Sequence, residues 1–141
     1  MTWKFKEKEI LSVNDMPDET YGFIYKIKNT NTGQYYIGKK QVVSVRKKNF
    51  GKKKLETLTD KRVKKYEMVS KESDWKTYRS SNEIVKTWKD EEIDLEILRF
   101  CKSKKSLTYY ELQEQFHHNV LAYEKSLNDN LIGKFFRKDL L

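Results

Sequence analysis

Two short runs of aromatic and β-branched residues, joined by a loop of turn-forming residues, constrain the fold of this chain most strongly. The first run is YGFIYKIK at residues 21–28, and the second is QYYIGK at residues 34–39. The loop between them, NTNTG, consists mostly of residues that tolerate tight turns. Two strand-like runs separated in this way predict a β-hairpin.

A third strand and two helices are predicted further along the chain. Residues 93–101, IDLEILRFC, begin with alternating apolar and acidic side chains, which is typical of a strand with one buried face. The serine pair at 80–81 can cap a short amphipathic helix at about 82–90, and a longer helix is predicted at about 107–124. The pattern at 59–68 is compatible with a further short helix. The expected fold class is α+β, with a small three-stranded, mainly antiparallel sheet flanked by helices.

Several classes of protein are excluded by what the sequence lacks. The single cysteine, Cys101, cannot form an internal disulfide or a cysteine-rich zinc site. No stretch approaches the roughly 20 apolar residues that a membrane span needs, and the first residues lack the apolar run of a signal peptide. No glycine-rich nucleotide-binding motif is present. We therefore expect a soluble, cytoplasmic protein with no membrane partner.

The positive charge is concentrated in one segment. The chain carries a net charge of +9, but residues 39–71 contain thirteen basic and three acidic residues, which gives this segment +10 and leaves −1 for the rest. Because such a concentration of charge repels itself unless it is solvated or meets a polyanion, it favours nucleic acid as the partner. The alternative is a solvated lysine-rich loop that only keeps the protein soluble.

Acidic and histidine side chains recur at helical spacing within the longer predicted helix. Glu111, Glu114 and His118 lie three and four residues apart, so they would share one face of that helix. Carboxylate oxygens suit a hard divalent cation such as Mg²⁺ or Mn²⁺. The alternative interpretation is a solvent-facing helix surface with weak pairing between Glu114 and His118.

The hairpin carries two tripeptides that point to a known family. These are FIY at 23–25 and YIG at 36–38, and they place Tyr25 and Tyr36 eleven residues apart on paired strands. This arrangement resembles the signature of the GIY-YIG nuclease superfamily. Phe23 replaces the glycine of the first tripeptide, and Gly22 stands one position early, so only the Ile-Tyr half of that motif is intact.

The order of later residues is similar to that of the same family. Arg46 lies about ten residues after the second tyrosine, and the serine pair, the third strand and a helical glutamate follow in the expected order. Glu114, within QEQF, is the best match to the glutamate that binds metal in the family, although Glu111 competes with it. Asn130 corresponds to an asparagine that follows the helix in several members.

The resemblance also suggests how the chain is organised. It covers residues 21–133, so we assign 1–20 to an N-terminal lead-in and 134–141 to a C-terminal tail. A basic insertion at about 47–73 is longer than the compact family core requires and resembles the insertions of phage-encoded members.

The resemblance implies a DNA endonuclease that uses Mg²⁺ or Mn²⁺ to hydrolyse phosphodiester bonds. Glu114 would hold the metal, Arg46 would bind a non-bridging phosphate oxygen, and Tyr25 would act as general base with the assistance of Tyr36. The supporting residues would be Lys39, Lys40 and Asn130.

The basic insertion would follow the DNA backbone with little discrimination between bases. The enzyme would be of the phage homing or host-DNA-cutting kind, located in the host cytoplasm if phage-encoded, and a double-strand cutter would require a dimer or sequential action. The alternative is a non-catalytic basic module that binds nucleic acid on the same fold. The residues expected to contact DNA are Lys47, Lys48, Lys52, Lys53, Lys54, Arg62, Lys64 and Lys65.

Overall fold

The computed structural model describes residues 2–49 and 66–140, without the side chains of 45–49 and 66–68. The chain divides into two compact units. The first consists of Met1–Val42 together with Asp74–Leu141, and the second is Val43–Ser73. The second unit covers the segment that the sequence predicts as a basic insertion.

Short strands make up most of the regular structure. In the described part of the chain there is one α-helix, α1 (Lys104–His117), and single 3-10 turns lie at 13–15, 85–87, 90–92 and 137–140. The strands in chain order are β1 (Trp3–Phe5), β2 (Lys8–Ile10), β3 (Gly22–Asn29), β4 (Tyr35–Gln41), β5 (Val43–Asn49), β6 (Tyr66–Glu72), β7 (Ile93–Cys101), β8 (Asn130–Leu131) and β9 (Phe135–Phe136).

The first unit contains a mixed five-stranded sheet with the strand order β2-β1-β7-β3-β4. Strands β3 and β4 pair antiparallel, which confirms the predicted hairpin, and β7 has the predicted bounds and pairs antiparallel with β3. The prediction of three strands is corrected, because the N-terminal residues interpreted as a lead-in form the hairpin β1–β2, and β1 pairs in parallel with β7.

The N-terminal hairpin belongs to this sheet because Trp3 is a core residue. Its side chain is 1% exposed, and its ring centroid lies 5.2 Å from that of Phe23 and 5.3 Å from that of Tyr25. The Trp3 indole N–H donates a 2.9 Å hydrogen bond to the carbonyl of Trp75, which is itself fully buried. A buried tryptophan whose N–H finds a carbonyl partner is a strong anchor.

The helices differ from the prediction in length and type. Helix α1 begins after Ser103, whose hydroxyl accepts a hydrogen bond from the Ser106 N–H, and it ends at His117 rather than continuing to 124. It ends there because Asn119 adopts a left-handed backbone with φ of 50°, which stops the helix. The helix predicted at 82–90 is replaced by a 3-10 turn at Val85–Thr87, and a second turn follows at Asp90–Glu92.

The further short helix considered at 59–68 is only partly within the described residues. Residues 59–65 lie outside them, and residues 66–68 belong to strand β6.

Helix α1 packs against one face of the sheet, where one apolar cluster of the core lies. A β-carbon at Gly22 would lie 2.6 Å from the Lys40 carbonyl oxygen and 2.9 Å from a Leu107 methyl group, so glycine is required for this close approach. The buried members of the cluster are Ile24, Tyr35, Ile37, Cys101, Leu107, Val120, Leu121 and Leu131.

The second unit contains the antiparallel pair β5–β6. Its register sets Arg46 opposite Val69, Lys47 opposite Met68 and Lys48 opposite Glu67. Within the described residues of the whole chain, no helix has the length and apolar character that a membrane span needs.

Replacing Trp3 tests whether the N-terminal hairpin is part of the core. Trp3→Ala should lower the free energy of unfolding by about 3–5 kcal/mol, measured by denaturant titration, because a fully buried aromatic side chain is lost. The control Leu11→Ala removes a side chain that is 57% exposed and should change stability by less than about 0.5 kcal/mol. Equal effects of the two substitutions would show that the hairpin is peripheral.

Candidate active site

The two motif tyrosines lie side by side on the β3–β4 hairpin. Tyr25 pairs with Gly38, and Tyr36 pairs with Ile27, two residues further along β3. Because residues two apart on a strand point to the same face, both rings project from the same side of the sheet. Their centroids are 6.3 Å apart. The two tyrosines therefore lie on paired strands, as the predicted hairpin requires.

Gly38, the last residue of the second tripeptide, makes room for the Tyr25 side chain. A β-carbon at position 38 would lie 2.6 Å from the Tyr25 hydroxyl oxygen and 3.0 Å from a ring carbon of Tyr36. Real β-carbons do not approach other atoms so closely, so any larger residue at position 38 would displace the Tyr25 ring.

Tyr25 is enclosed, with a side chain that is 1% exposed. Its hydroxyl shares hydrogen bonds with those of Ser80 and Tyr78, and the Tyr78 ring centroid lies 6.0 Å away. Burial raises the pKa of the Tyr25 phenol well above its ordinary value, Tyr78 and Tyr36 add to this shift, and the Ser80 hydrogen bond partly opposes it. At neutral pH the phenol keeps its proton, which is unfavourable for a general base.

Tyr36 is half-buried and reaches a cavity. Its hydroxyl shares a hydrogen bond with that of Ser81. Burial raises the pKa of this phenol too, and the carboxylate of Glu111 contributes to the same shift, while the Ser81 hydrogen bond opposes it. Of the two motif tyrosines, Tyr36 is therefore the one placed to touch a molecule in the cavity.

The cavity has a volume of about 340 Å³ and a mostly polar lining. Its walls come from strand β4, the loop after Tyr78, helix α1 and the loop before β8. The lining residues are Tyr36, Ser81, Asn82, Glu111, Gln115, Leu127, Asn128, Asp129, Asn130 and Ile132.

The structure separates the two candidate glutamates of α1. Glu111 lines the cavity, and its carboxylate lies 3.9 Å from the Lys39 ammonium nitrogen. The Glu114 carboxylate lies 3.6 Å from Nδ1 of His118, and Glu114 is not among the cavity residues. The sequence interpretation considered both glutamates as the metal ligand and favoured Glu114 from the order of residues in the family. The geometry instead brings Glu111 to Tyr36.

The position of Glu111 explains the pKa of its carboxyl group. Burial raises the pKa of its carboxyl above the ordinary value, and the Lys39 ammonium partly opposes this shift. Glu111 lies between Leu107 and Gln115 at four-residue intervals, and both of these are buried. This spacing was the sequence signal that could have placed Glu111 on the buried face of the helix.

Asn128 was missed by the sequence interpretation. It is 3% exposed, its Oδ1 accepts a 3.0 Å hydrogen bond from the Ile37 N–H, and its Nδ2 donates a 2.8 Å bond to the Ile37 carbonyl. The Gln115 amide donates to the same carbonyl. Asn130, which the sequence favoured, is exposed and accepts from the Gly133 N–H at the cavity rim. Asn128 therefore ties the edge strand β4 to the cavity wall.

The two lysines predicted as supporting residues contact helix α1 and the segment that precedes the serine pair. The Lys39 ammonium donates to the Thr108 hydroxyl at 3.1 Å, in addition to its contact with Glu111. The Lys40 ammonium bonds to an oxygen of Asp74 at 2.6 Å and lies 4.2 Å from the centroid of the Tyr78 ring. This bond to Lys40 lowers the pKa of the Asp74 carboxyl.

The predicted arginine and the DNA-contacting residues cannot be placed at the cavity. The side chains of Arg46, Lys47 and Lys48 lie outside the described residues, although their backbone forms part of β5. Their roles stay predictions. The same holds for the residues that are masked entirely, which are Lys52, Lys53, Lys54, Arg62, Lys64 and Lys65.

The donor set of the cavity fits a hard divalent cation. Within residues 2–49 and 66–140, no three His, Cys, Asp or Glu side chains form a metal-binding cluster. The cavity does offer the Glu111 carboxylate, the Tyr36 hydroxyl and the exposed Asp129 at its rim. Mg²⁺ is commonly held by one or two carboxylates and completes its coordination with water and phosphate oxygens.

The fold and this cavity define an α+β domain whose site is built from a tyrosine hairpin and a helical glutamate. Residues 3–136 match the family described as putative endonuclease segE, GIY-YIG domain. The chain therefore belongs to the GIY-YIG endonuclease superfamily, in its segE-like family. Comparisons with curated proteins and with solved structures gave no match. The matched range includes β1 and β2.

A pH series tests the burial of Glu111. Folding raises the pKa of the Glu111 carboxyl, so its charged form is less favourable in the folded state than in the unfolded state. Its contribution to folding stability is therefore full at low pH, where the carboxyl is protonated, and is lost as the pH rises through the folded pKa. Glu111→Gln should therefore raise the melting temperature at pH 7, and the gain should vanish below about pH 4, where the wild-type carboxyl is also neutral.

The control Glu91→Gln changes an exposed carboxylate and should show no comparable gain. A Glu111→Gln protein that is less stable than wild type at pH 7, by an amount that persists at pH 4, would contradict the burial of a charged carboxylate.

Proposed function

We propose that this protein is a divalent-metal-dependent endonuclease that hydrolyses phosphodiester bonds of DNA. Membership in an endonuclease family supports nuclease activity. The observation that carries the finer proposal is the meeting of Tyr36, Ser81 and Glu111 in one polar cavity at the edge of the tyrosine hairpin.

The cavity supplies groups that phosphodiester hydrolysis needs. The reaction requires a positioned water and neutralisation of the charge that develops on the phosphate. Glu111 would hold Mg²⁺ or Mn²⁺, with Asp129 at the rim as a second oxygen donor. When bound, such an ion supplies Lewis-acid stabilisation of phosphate oxygens. A single buried carboxylate leaves most of the coordination positions for water and substrate.

The tyrosines take different roles in this proposal. Tyr36 reaches the cavity, so we assign to it the contact with the attacking water or with a phosphate oxygen. Tyr25 is buried and protonated, so we assign to it the positioning of neighbouring groups rather than the general-base role expected from the resemblance. Lys39 adds positive charge next to Glu111, and Arg46 keeps its predicted role at a non-bridging oxygen.

The basic segment supports DNA as the substrate. Its +10 charge suits contacts with the phosphate backbone, which give affinity that depends on salt and discriminates little between bases. We extend the proposal to a phage-type enzyme of the homing or host-DNA-cutting kind, which would act in the host cytoplasm and would pair two copies for a double-strand break.

Cleavage of supercoiled plasmid DNA in Mg²⁺ or Mn²⁺ tests this function. The wild type should convert the plasmid to nicked or linear forms. Glu111→Gln should lower the rate by about 100-fold or more, because the metal-holding carboxylate is lost. Glu114→Gln is the matched control and should cut at nearly the wild-type rate, because its carboxylate faces His118.

Two results would contradict the proposal. A wild type that binds DNA but cuts it with neither metal would favour the non-catalytic binding module. Normal cutting by Glu111→Gln together with inactive Glu114→Gln would show that Glu114, the residue preferred from the sequence, binds the metal.

A further inference from the structure

Two consecutive serines contact the two motif tyrosines. They lie in the segment that follows Trp75, whose carbonyl is held by the Trp3 indole N–H. Ser80 shares a hydrogen bond with the hydroxyl of Tyr25, and Ser81 shares one with the hydroxyl of Tyr36. Each motif tyrosine therefore pairs with a different one of the two serines.

Ser80 is buried in a backbone conformation that disfavours it. It is 3% exposed and has φ of 89°, in the left-handed region where glycine is the usual residue. A non-glycine residue there is strained, and such strain clusters at functional sites. The Ser80 hydroxyl also accepts a 3.1 Å hydrogen bond from the Asn82 N–H. Glycine would relieve the strain but would remove the hydroxyl that reaches Tyr25.

Ser81 points elsewhere. It is exposed and lines the polar cavity together with Tyr36 and Glu111. The hydroxyl of Ser80 therefore meets the buried phenol of Tyr25, and the hydroxyl of Ser81 meets the phenol of Tyr36 in the cavity.

We propose that Ser80 and Ser81 are positioning residues that fix the hydroxyl groups of Tyr25 and Tyr36, respectively, for cleavage. The proposal rests on the endonuclease function stated above. Ser81 orients the phenol that contacts the reacting groups. Ser80 acts one step further away, because it holds the buried ring whose centroid lies 6.3 Å from that of Tyr36. Such alignment lowers the cost of reaching the reactive geometry.

The hydrogen bonds can be tested without DNA. In protein labelled with ¹³C at the tyrosine ζ-carbons, NMR signals report on each phenol, and Tyr25→Phe and Tyr36→Phe identify the two signals. Ser80→Ala should shift the Tyr25 signal most, and Ser81→Ala the Tyr36 signal. The control Ser12→Ala also removes a serine hydroxyl that accepts a hydrogen bond from the N–H two residues on, and it should shift neither signal. Unshifted tyrosine signals in both serine variants would overturn the proposal, whether or not the protein cuts DNA.

Kinetics on plasmid DNA test the positioning role. Ser80→Ala and Ser81→Ala should each lower kcat by about tenfold or more while KM changes less than about twofold, and Ser81→Thr, which keeps the hydroxyl, should restore most of the rate. Ser80→Gly should melt at or above the temperature of Ser80→Ala but stay equally slow, which separates catalysis from folding.

An unchanged kcat in both alanine variants would overturn the positioning role even if the NMR signals shift. A wild type that cuts no DNA would refute the proposed function and with it the role in cleavage, while the NMR result still decides whether the serines hold the tyrosines.

Discussion

The close contact between the Tyr25 hydroxyl and the backbone of Gly38 is the constraint on which the rest of the site depends. A β-carbon at position 38 would lie 2.6 Å from that oxygen, so the phenol occupies the space of the missing side chain. The contact fixes how the Tyr25 ring crosses the hairpin, and it leaves Tyr36 beside that ring at the edge of the sheet. The Trp3 ring packs against that of Tyr25, and its indole N–H holds the carbonyl of Trp75, at the start of the segment that carries the two serines.

The site keeps groups that are unfavourable for stability. Glu111 is a largely buried carboxyl whose pKa is raised by burial, and Ser80 is a strained residue in the left-handed region. Both features lower the stability of the fold, and destabilising residues of this kind are expected at functional sites. The stabilising interactions lie around them, in the contacts of Trp3 and in the two hydrogen bonds between Asn128 and Ile37.

The parts of the fold that were predictable have strong local patterns. The β3–β4 hairpin and β7 follow from aromatic, β-branched and alternating residues, and the two tyrosines follow from their interval along the hairpin. Strands β1 and β2 are three residues each and contain as many charged as apolar side chains, so their pairing depends on the distant partner of Trp3. The predicted helix was too long because the apolar spacing continues into Val120 and Leu121. These two residues are buried, but they follow the end of the helix at His117.

The choice of carboxylate could not be made from motif order alone, because Glu111 and Glu114 are one turn apart on α1 and only packing decides which of them meets Tyr36. X-ray diffraction from crystals grown with Mn²⁺ addresses this point directly, since anomalous scattering locates the ion. The account predicts one Mn²⁺ in the polar cavity, coordinated directly by the Glu111 carboxylate. An ion bound by Glu114, with none in the cavity, would contradict it.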